Sequence, residues 1–246
     1  MTNNATFLNT IDLAPGVKAF CTLRGEISAS PYSGFNVCHY TGDTEEHVSS
    51  CRRMLAEAIN IPPEAIVVPR QTHSVNCLTV DSVPVPAAML EGVDALVTRL
   101  KGVAIGVSTA DCVPVLMADV AAGVIGVAHA GWRGAVNGVV PNTLARMVEC
   151  GACVDRVVAG FGPSIGPCCF EVGEEVAACF PERNVVRRQG CRPHVDIQGY
   201  ITDFLKAEGV TVMPSHECTK CRPDRYFSAR ALGIASGRIF SFLYIE

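Results

Sequence analysis

The chain has 246 residues, of which 49% are hydrophobic and 18% charged, a balance that excludes a disordered protein and fits one compact unit or two tightly merged halves. Its 20 Lys and Arg against 24 Asp and Glu leave a net charge of -4, without the basic footprint that binding a phosphate backbone requires, so nucleic acid is excluded as an expected partner. The 13 cysteines are odd in number and irregularly spaced, which reads as reduced thiols and excludes a disulfide framework.

The amino terminus, Met1-Thr2-Asn3-Asn4-Ala5-Thr6, has neither a basic region nor a long apolar one, so no secretory signal and a cytoplasmic location are expected. Val17 to Leu23 predicts a strand, and Pro31-Tyr32-Ser33-Gly34 a turn leading into Phe35-Asn36-Val37. A helix follows. Asp43 or Thr44 can cap it, Val48, Cys51, Leu55 and Ile59 recur at helical spacing, and Pro62-Pro63 stops it.

From Ile66 to Val127 short β-branched runs predict strands at 66–68, 75–80, 95–98, 103–108, 113–117 and 124–127. The most apolar stretch, Gly102 to Ala130, is broken by Asp111 and Asp119, so no membrane span is predicted. Helical periodicity returns between Val136 and Val148, with Pro141 expected to kink or restart the helix. Beyond it the pattern predicts a strand at 156–159, a helix over 172–180, and a helix carrying Ile197, Tyr200, Ile201, Phe204 and Leu205 on one face until Gly209. Strands at 210–213 and 238–245 close the chain. The class is mixed α and β in a single domain spanning residues 1–246.

The residues that suggest chemistry are His73 in Gln71-Thr72-His73, Cys112 in Ala110-Asp111-Cys112-Val113-Pro114, and His129 in His129-Ala130-Gly131-Trp132-Arg133-Gly134. All three fall near predicted strand ends or turns, where side chains can converge on one pocket. One thiolate and two imidazoles form the three-ligand set of a catalytic zinc, which keeps its fourth position open. The same atoms permit a metal-free reading, with Cys112 as nucleophile and His129 or His73 as its base. Taken singly, each has the plain alternative of a packed core or loop side chain.

A rival zinc site pairs Cys150-x2-Cys153 with Cys218-x2-Cys221, while vicinal Cys168-Cys169 reads as packing with incidental redox sensitivity. Arg52, Arg133 and Arg230 are candidates to grip an anion, against the alternative of surface or structural ion pairs. Trp132, the lone tryptophan, is either a stacking wall for a flat ligand or a core anchor. The turn from Gly160 to Pro167, which includes Ser164, can present N–H groups to an anion but matches no dinucleotide or P-loop spacing.

Together these segments resemble the laccase-domain family, the YfiH-type proteins formerly called polyphenol oxidases and now regarded as zinc-dependent purine nucleoside phosphorylases. The resemblance runs through Ser33-Gly34-Phe35-Asn36-Val37, Gly42-Asp43, Arg52, Gln71-Thr72-His73, Asp94-Ala95-Leu96-Val97-Thr98, the Ala-Asp-Cys and His-Ala-Gly-Trp-Arg-Gly motifs, Gly162-Pro163-Ser164-Ile165-Gly166, Cys218-Thr219 and Phe227-Ser228-x-Arg230. It implies a four-layer α/β/β/α sandwich of mixed sheets, similar to the cytotoxic necrotizing factor deamidases, with His73, Cys112 and His129 as zinc ligands.

The implied activity is phosphorolysis of adenosine, inosine, guanosine and methylthioadenosine, with adenosine deamination alongside. Cys112, Asp111, His129 and Arg230 would be catalytic, Asp111 as a proton shuttle, and Arg52, Arg133, Trp132 and Ser164 would meet phosphate or base. The chain departs from the family pattern in Cys51 before Arg52, in Phe170 where Tyr is commoner, and in Ala231 where a second arginine often stands.

Two other activities compete. Relatives of the fold use Cys and His in deamidation, and a family member is implicated in peptidoglycan precursor editing, which suggests an amidase. A copper phenol oxidase is the older idea, but six histidines in all are few for multicopper oxidation. A metal-binding scaffold without activity would need a closed coordination sphere. Oligomeric state is not legible.

Overall fold

A computed structural model describes residues 6–26, 28, 30–215 and 217–246. Two mixed sheets form its centre. The first orders β1 (Leu8–Thr10), β2 (Val17–Thr22), β13 (Ile239–Ile245), β6 (Ala104–Thr109) and β3 (Ile66–Val67), antiparallel except for the β3–β6 pair. The second orders β12 (Thr211–Val212), β9 (Val158–Phe161), β7 (Val113–Asp119), β8 (Val124–Ala130), β5 (Ala95–Thr98) and β4 (Cys77–Val80), with parallel pairs only at its two edges. A small antiparallel pair, β10 (Val185–Val186) with β11 (His194–Val195), lies apart from both.

The layering follows from the period of two in the central strands. On β8, Ile125 and Val127 join the core cluster shared with Ile105, Val107 and Leu243 of the first sheet, whereas Val124, Ala128 and Ala130 turn to the cluster that holds α4 (Val139–Glu149) and α6 (Ile197–Ala207). Strands β5 and β7 divide the same way, Leu96, Leu116 and Ala118 inward and Ala95, Val97, Val113, Val115 and Met117 toward the helices. Buried on both faces, these strands read as continuous apolar runs. At Gly126 an added Cβ would lie 2.8 Å from the Met147 sulfur, so the missing side chain lets α4 approach the sheet. Helix α1 (Glu45–Ile59) packs Cys51, Leu55 and Ile59 into the cluster that also holds Phe240 and Phe242. The result is the mixed-sheet α+β sandwich that the resemblance implies.

Local signals explain most boundaries. Thr44 caps α1 through its hydroxyl, which accepts from the His47 N–H at 3.3 Å, and Asn60 in left-handed conformation ends it. The expected kink falls at Gly138 (φ 97°), between α3 (Trp132–Asn137) and α4, three residues before Pro141. Pro141 sits in the first turn of α4, where its missing N–H costs no helical bond. The helix expected over 172–180 shortens to α5 (Glu174–Ala177), because Gly173 offers no capping side chain and Pro181 follows closely. Two short helices complete the set, α2 (Ala87–Leu90) and α7 (Ala229–Leu232). Among the described residues no helix is long and apolar enough to cross a membrane.

Candidate active site

The turn after β6 carries the chain from the first sheet to the second, and Asp111 and Cys112 lie on it. Asp111 has φ 90°, a conformation rare for any residue with a side chain, and such strain concentrates where a site must hold a group in place. The antiparallel register of β7 and β8 pairs Val113 with Ala130 and Pro114 with His129, which brings Cys112 and His129 to the same end of the sheet. His73 arrives from the loop between β3 and β4, itself at φ 61°.

Asp94 holds that loop. Its carboxylate, fully buried, accepts the backbone N–H groups of Thr72, His73 and Ser74 at 3.0, 3.0 and 2.8 Å and the Ser74 hydroxyl at 2.8 Å. It also pairs with His129 Nδ1 at 2.7 Å, while its backbone carbonyl accepts the His129 N–H at 2.8 Å. With a proton on Nδ1, His129 presents Nε2 as an acceptor or ligand. Asp94 enters the sequence reading only as the start of a strand motif, and an acidic residue heading the apolar run Ala95-Leu96-Val97 was the signal for this role.

The ligand atoms of His73, Cys112 and His129 all lie within 4.8 Å of one another. Cys112 Sγ is 3.7 Å from His73 Nε2, and a tetrahedral zinc with its usual bond lengths would separate a sulfur and a nitrogen ligand by roughly 3.6 Å. The donor set therefore fits such an ion. Gly131 makes room for it, since a Cβ there would lie 2.7 Å from His73 Cδ2 and 3.0 Å from Cys112 Sγ.

Charge reinforces the grouping. Burial alone would raise the Cys112 thiol, but the adjacent His129 and His73 rings outweigh it and bring the group down to about 6. Burial would likewise lower His129, yet the Cys112 sulfur and Asp94 lift it to about 9. Burial also opposes ionisation of Asp94, and its bonds to His129 and the loop N–H groups overcome that to hold it at about 2.

These side chains open into a cleft of about 520 Å³. Tyr40, Gln71, Ser108, Asp111, Arg230 and Arg238 also line it. Gln71 exchanges two hydrogen bonds with the backbone of Ser108, each 2.8 Å, and accepts from the Tyr40 hydroxyl at 3.1 Å, so it braces the wall of the cleft. Arg230 donates to the Glu171 carbonyl at 3.0 Å and lies over the Phe170 ring. Both oxygens of Asp111 are engaged, Oδ1 by the Thr219 hydroxyl at 2.6 Å and Oδ2 by the Arg230 N–H at 2.7 Å. Asp111 thus orients the segment that carries Arg230.

Four expected contacts fall elsewhere. Arg52 donates to the carbonyls of Val37 and Ile66 at 3.3 and 3.2 Å and lines an adjoining cavity that shares Tyr40 with the cleft. Arg133 is exposed and stacks on Trp132 at 4.3 Å, and Trp132 packs against the helix-side core. Ser164 is buried and bridges to Cys218. None of the four lines the cleft: Trp132 and Arg133 lie on α3 beyond the end of β8, Arg52 ends in the adjoining cavity, and Ser164 is buried. Arg238, Gln71 and Tyr40 line it without having been singled out.

The family model for multi-copper polyphenol oxidoreductase laccase matches residues 17–246. The chain belongs to this family. Among curated relatives of the family, one named adenosine deaminase RL5, from an unknown prokaryotic organism, is 42% identical over 93% of this chain and 94% of its own length. One from Bacteroides thetaiotaomicron named purine nucleoside phosphorylase is 40% identical over 92% and 90%. Of solved structures, Bacillus licheniformis YfiH superposes with a TM-score of 0.92 at 24% identity, covering 99% and 98%, and Neisseria meningitidis NMB0706 with 0.84 at 30% identity, covering 98% and 99%. The family's copper-oxidase name meets a site with two histidines and one cysteine, and among the described residues no cluster of metal-binding side chains holds more histidines than that.

Proposed function

We propose that this chain is a zinc-dependent purine nucleoside phosphorylase, splitting adenosine, inosine, guanosine and methylthioadenosine with phosphate into the base and ribose 1-phosphate or its methylthio analogue, with adenosine deamination as a second activity. The observation that carries the reading is the convergence of His73, Cys112 and His129 in a cleft that also holds Arg230 and Arg238. The names of relatives at 42% and 40% identity support the two activities. When bound, zinc supplies Lewis-acid stabilisation of developing negative charge and acidifies water in its open position.

The chain's own groups supply the rest. Arg230, oriented by Asp111 and by the Glu171 carbonyl, grips phosphate oxygens through charge-assisted bonds and holds the nucleophilic oxygen near the sugar. As the glycosidic C–N bond breaks, its electron pair leaves with the purine, which takes up a proton, while a phosphate oxygen bonds the anomeric carbon. Asp94 keeps His129 in one tautomer throughout. In deamination, water adds to the purine carbon bearing the amino group and ammonia departs. Incubating zinc-loaded protein with adenosine, with and without phosphate, and separating products by chromatography tests the reading: adenine forms only with phosphate, and inosine forms without it. Unchanged adenosine in both reactions would overturn it.

The lowered Cys112 thiol favours a second reading, an amidase in which Cys112 attacks, His129 carries the proton and Asp94 orients it. Metal-free protein that cleaves amides, and loses this on alkylation of Cys112 while turning over no nucleoside, would favour it.

A further inference from the structure

Four other cysteines meet on loops that bond to the Asp111 turn through Ile165 and Thr219. The sulfurs of Cys168, Cys169, Cys218 and Cys221 all lie within 4.8 Å of one another, and no other cluster of three or more metal-binding side chains stands outside the cleft among the described residues. Cys221 Sγ is 3.7 Å from Cys168 Sγ and 3.5 Å from Cys169 Sγ. Tetrahedral thiolates about 2.3 Å from one zinc ion sit roughly 3.8 Å apart, so these separations are those of a tetrathiolate centre before the ion is added. The pairing differs from the expectation that joined Cys218-x2-Cys221 to Cys150-x2-Cys153, since Cys150 instead lies near Thr79 on the β4 side of the second sheet.

The backbone is built for the same purpose. Cys218-Thr219-Lys220-Cys221 has the two-residue spacing of a zinc knuckle, in which backbone N–H groups point at the first sulfur. Gly166 N–H donates to Cys218 Sγ at 3.3 Å, a bond that places a donor against the first sulfur of the knuckle. The two loops are already in register, because Thr219 N–H donates to the Ser164 carbonyl at 3.0 Å and Ser164 N–H to the Glu217 carbonyl at 3.2 Å. Cys168 and Cys221 are exposed and Cys169 is half-buried, which leaves a path for an ion to enter.

We propose that Cys168, Cys169, Cys218 and Cys221 form a second, structural zinc site that clamps the 162–171 loop to the 217–222 loop next to the Asp111 turn. Binding exchanges four thiol protons, released to solvent, for one Zn²⁺, and leaves a centre of net charge -2 beside Lys220 and the N–H groups. All four positions are filled by sulfur, so the ion has no open position for water or substrate and is closed to catalysis. Its effect on the cleft runs through two contacts. Ile165 N–H donates to the Asp111 carbonyl at 2.8 Å, and the Thr219 hydroxyl to its carboxylate. One clamped loop also carries Phe170 and Glu171, which seat Arg230.

The experiment counts metal in the full-length protein after zinc loading and gel filtration. Two zinc ions per chain are expected, falling to one in the Cys168→Ser/Cys221→Ser protein and to one, at the other site, in Cys112→Ser. Should the double variant not fold, cobalt titration of the zinc-free wild type replaces it: two ions bind, one with the sulfur-to-cobalt absorption of four thiolates and one with that of a single thiolate. One zinc per chain in the wild type, retained by the double variant, overturns the proposal. So does one cobalt ion with single-thiolate absorption, or a disulfide joining Cys221 to Cys168 or Cys169 in freshly purified protein.

Discussion

Asp94→Asn isolates the group on which the cleft depends. Asp94 Oδ1 accepts from His73 N–H and His129 Nδ1–H, and Oδ2 from Thr72 N–H, Ser74 N–H and the Ser74 hydroxyl. An asparagine has one acceptor oxygen, which serves best in the Oδ2 position because three donors point there. Its NH₂ then meets His73 N–H, leaving that part-buried donor unpaired, and meets His129 Nδ1, which can adapt only by moving its proton to Nε2. In that tautomer Nε2 can no longer bind a metal. One orphaned donor and the lost charge-assisted bonds together cost about 3–5 kcal/mol of stability, and zinc affinity falls ~10–100-fold, the usual cost of removing a group that orients a ligand. Urea unfolding and competition against a chelator measure the two quantities. An Asp94→Asn protein that binds zinc as tightly as wild type would refute the reasoning, whatever its stability.

Further outcomes follow from the same geometry. Asp94, held at about 2 against an ordinary 3.8, contributes stability that is present above pH ~4 and lost as pH falls through ~2, worth about 2 kcal/mol; the acid arm of a stability profile should flatten in Asp94→Asn. In zinc-free protein, alkylation of Cys112 followed by peptide mass mapping should turn on near pH ~6, where thiolate forms, and zinc should suppress it; an onset near the ordinary thiol value of 9.0 would contradict the account. Gly131→Ala drives a methyl into the His73 ring and the Cys112 sulfur and should weaken zinc binding ~10-fold or more, read by the same chelator competition. Arg230→Ala should raise the KM for phosphate ~10–100-fold, with Arg230→Lys restoring part of it; an unchanged phosphate KM would remove Arg230 from the phosphate site.

Much of the fold was legible because its strands are short, β-branched and separated by clear turns, and because α1 carries its own cap, apolar stripe and stop. Strand β1, only three residues long and half exposed, and the two-residue strands β10 and β11 have too few side chains to show a period; their pairing comes from neighbours distant in the chain. The cleft was legible as far as residue type goes, since His73, Cys112 and His129 are chemically distinctive and sit by turns.

The surrounding residues were less so. Nothing local distinguishes Arg230 and Arg238, which line the cleft, from Arg52, which does not: all three donate to backbone carbonyls, and only the fold decides whether those carbonyls border the cleft. The four-cysteine cluster was hidden for a related reason. Spacing identified the Cys218-x2-Cys221 half, but its partner is a vicinal pair with no knuckle spacing, brought alongside by the bridge between Ser164 and Cys218.

The central claim is that phosphate attacks a nucleoside in the cleft that His73, Cys112 and His129 equip. Phosphorus NMR of zinc-loaded wild type and Cys112→Ala, each mixed with inosine and phosphate, tests it most directly. The account predicts a ribose 1-phosphate signal that grows with wild type and is absent with Cys112→Ala, and ribose 1-phosphate formed equally by both proteins would contradict it.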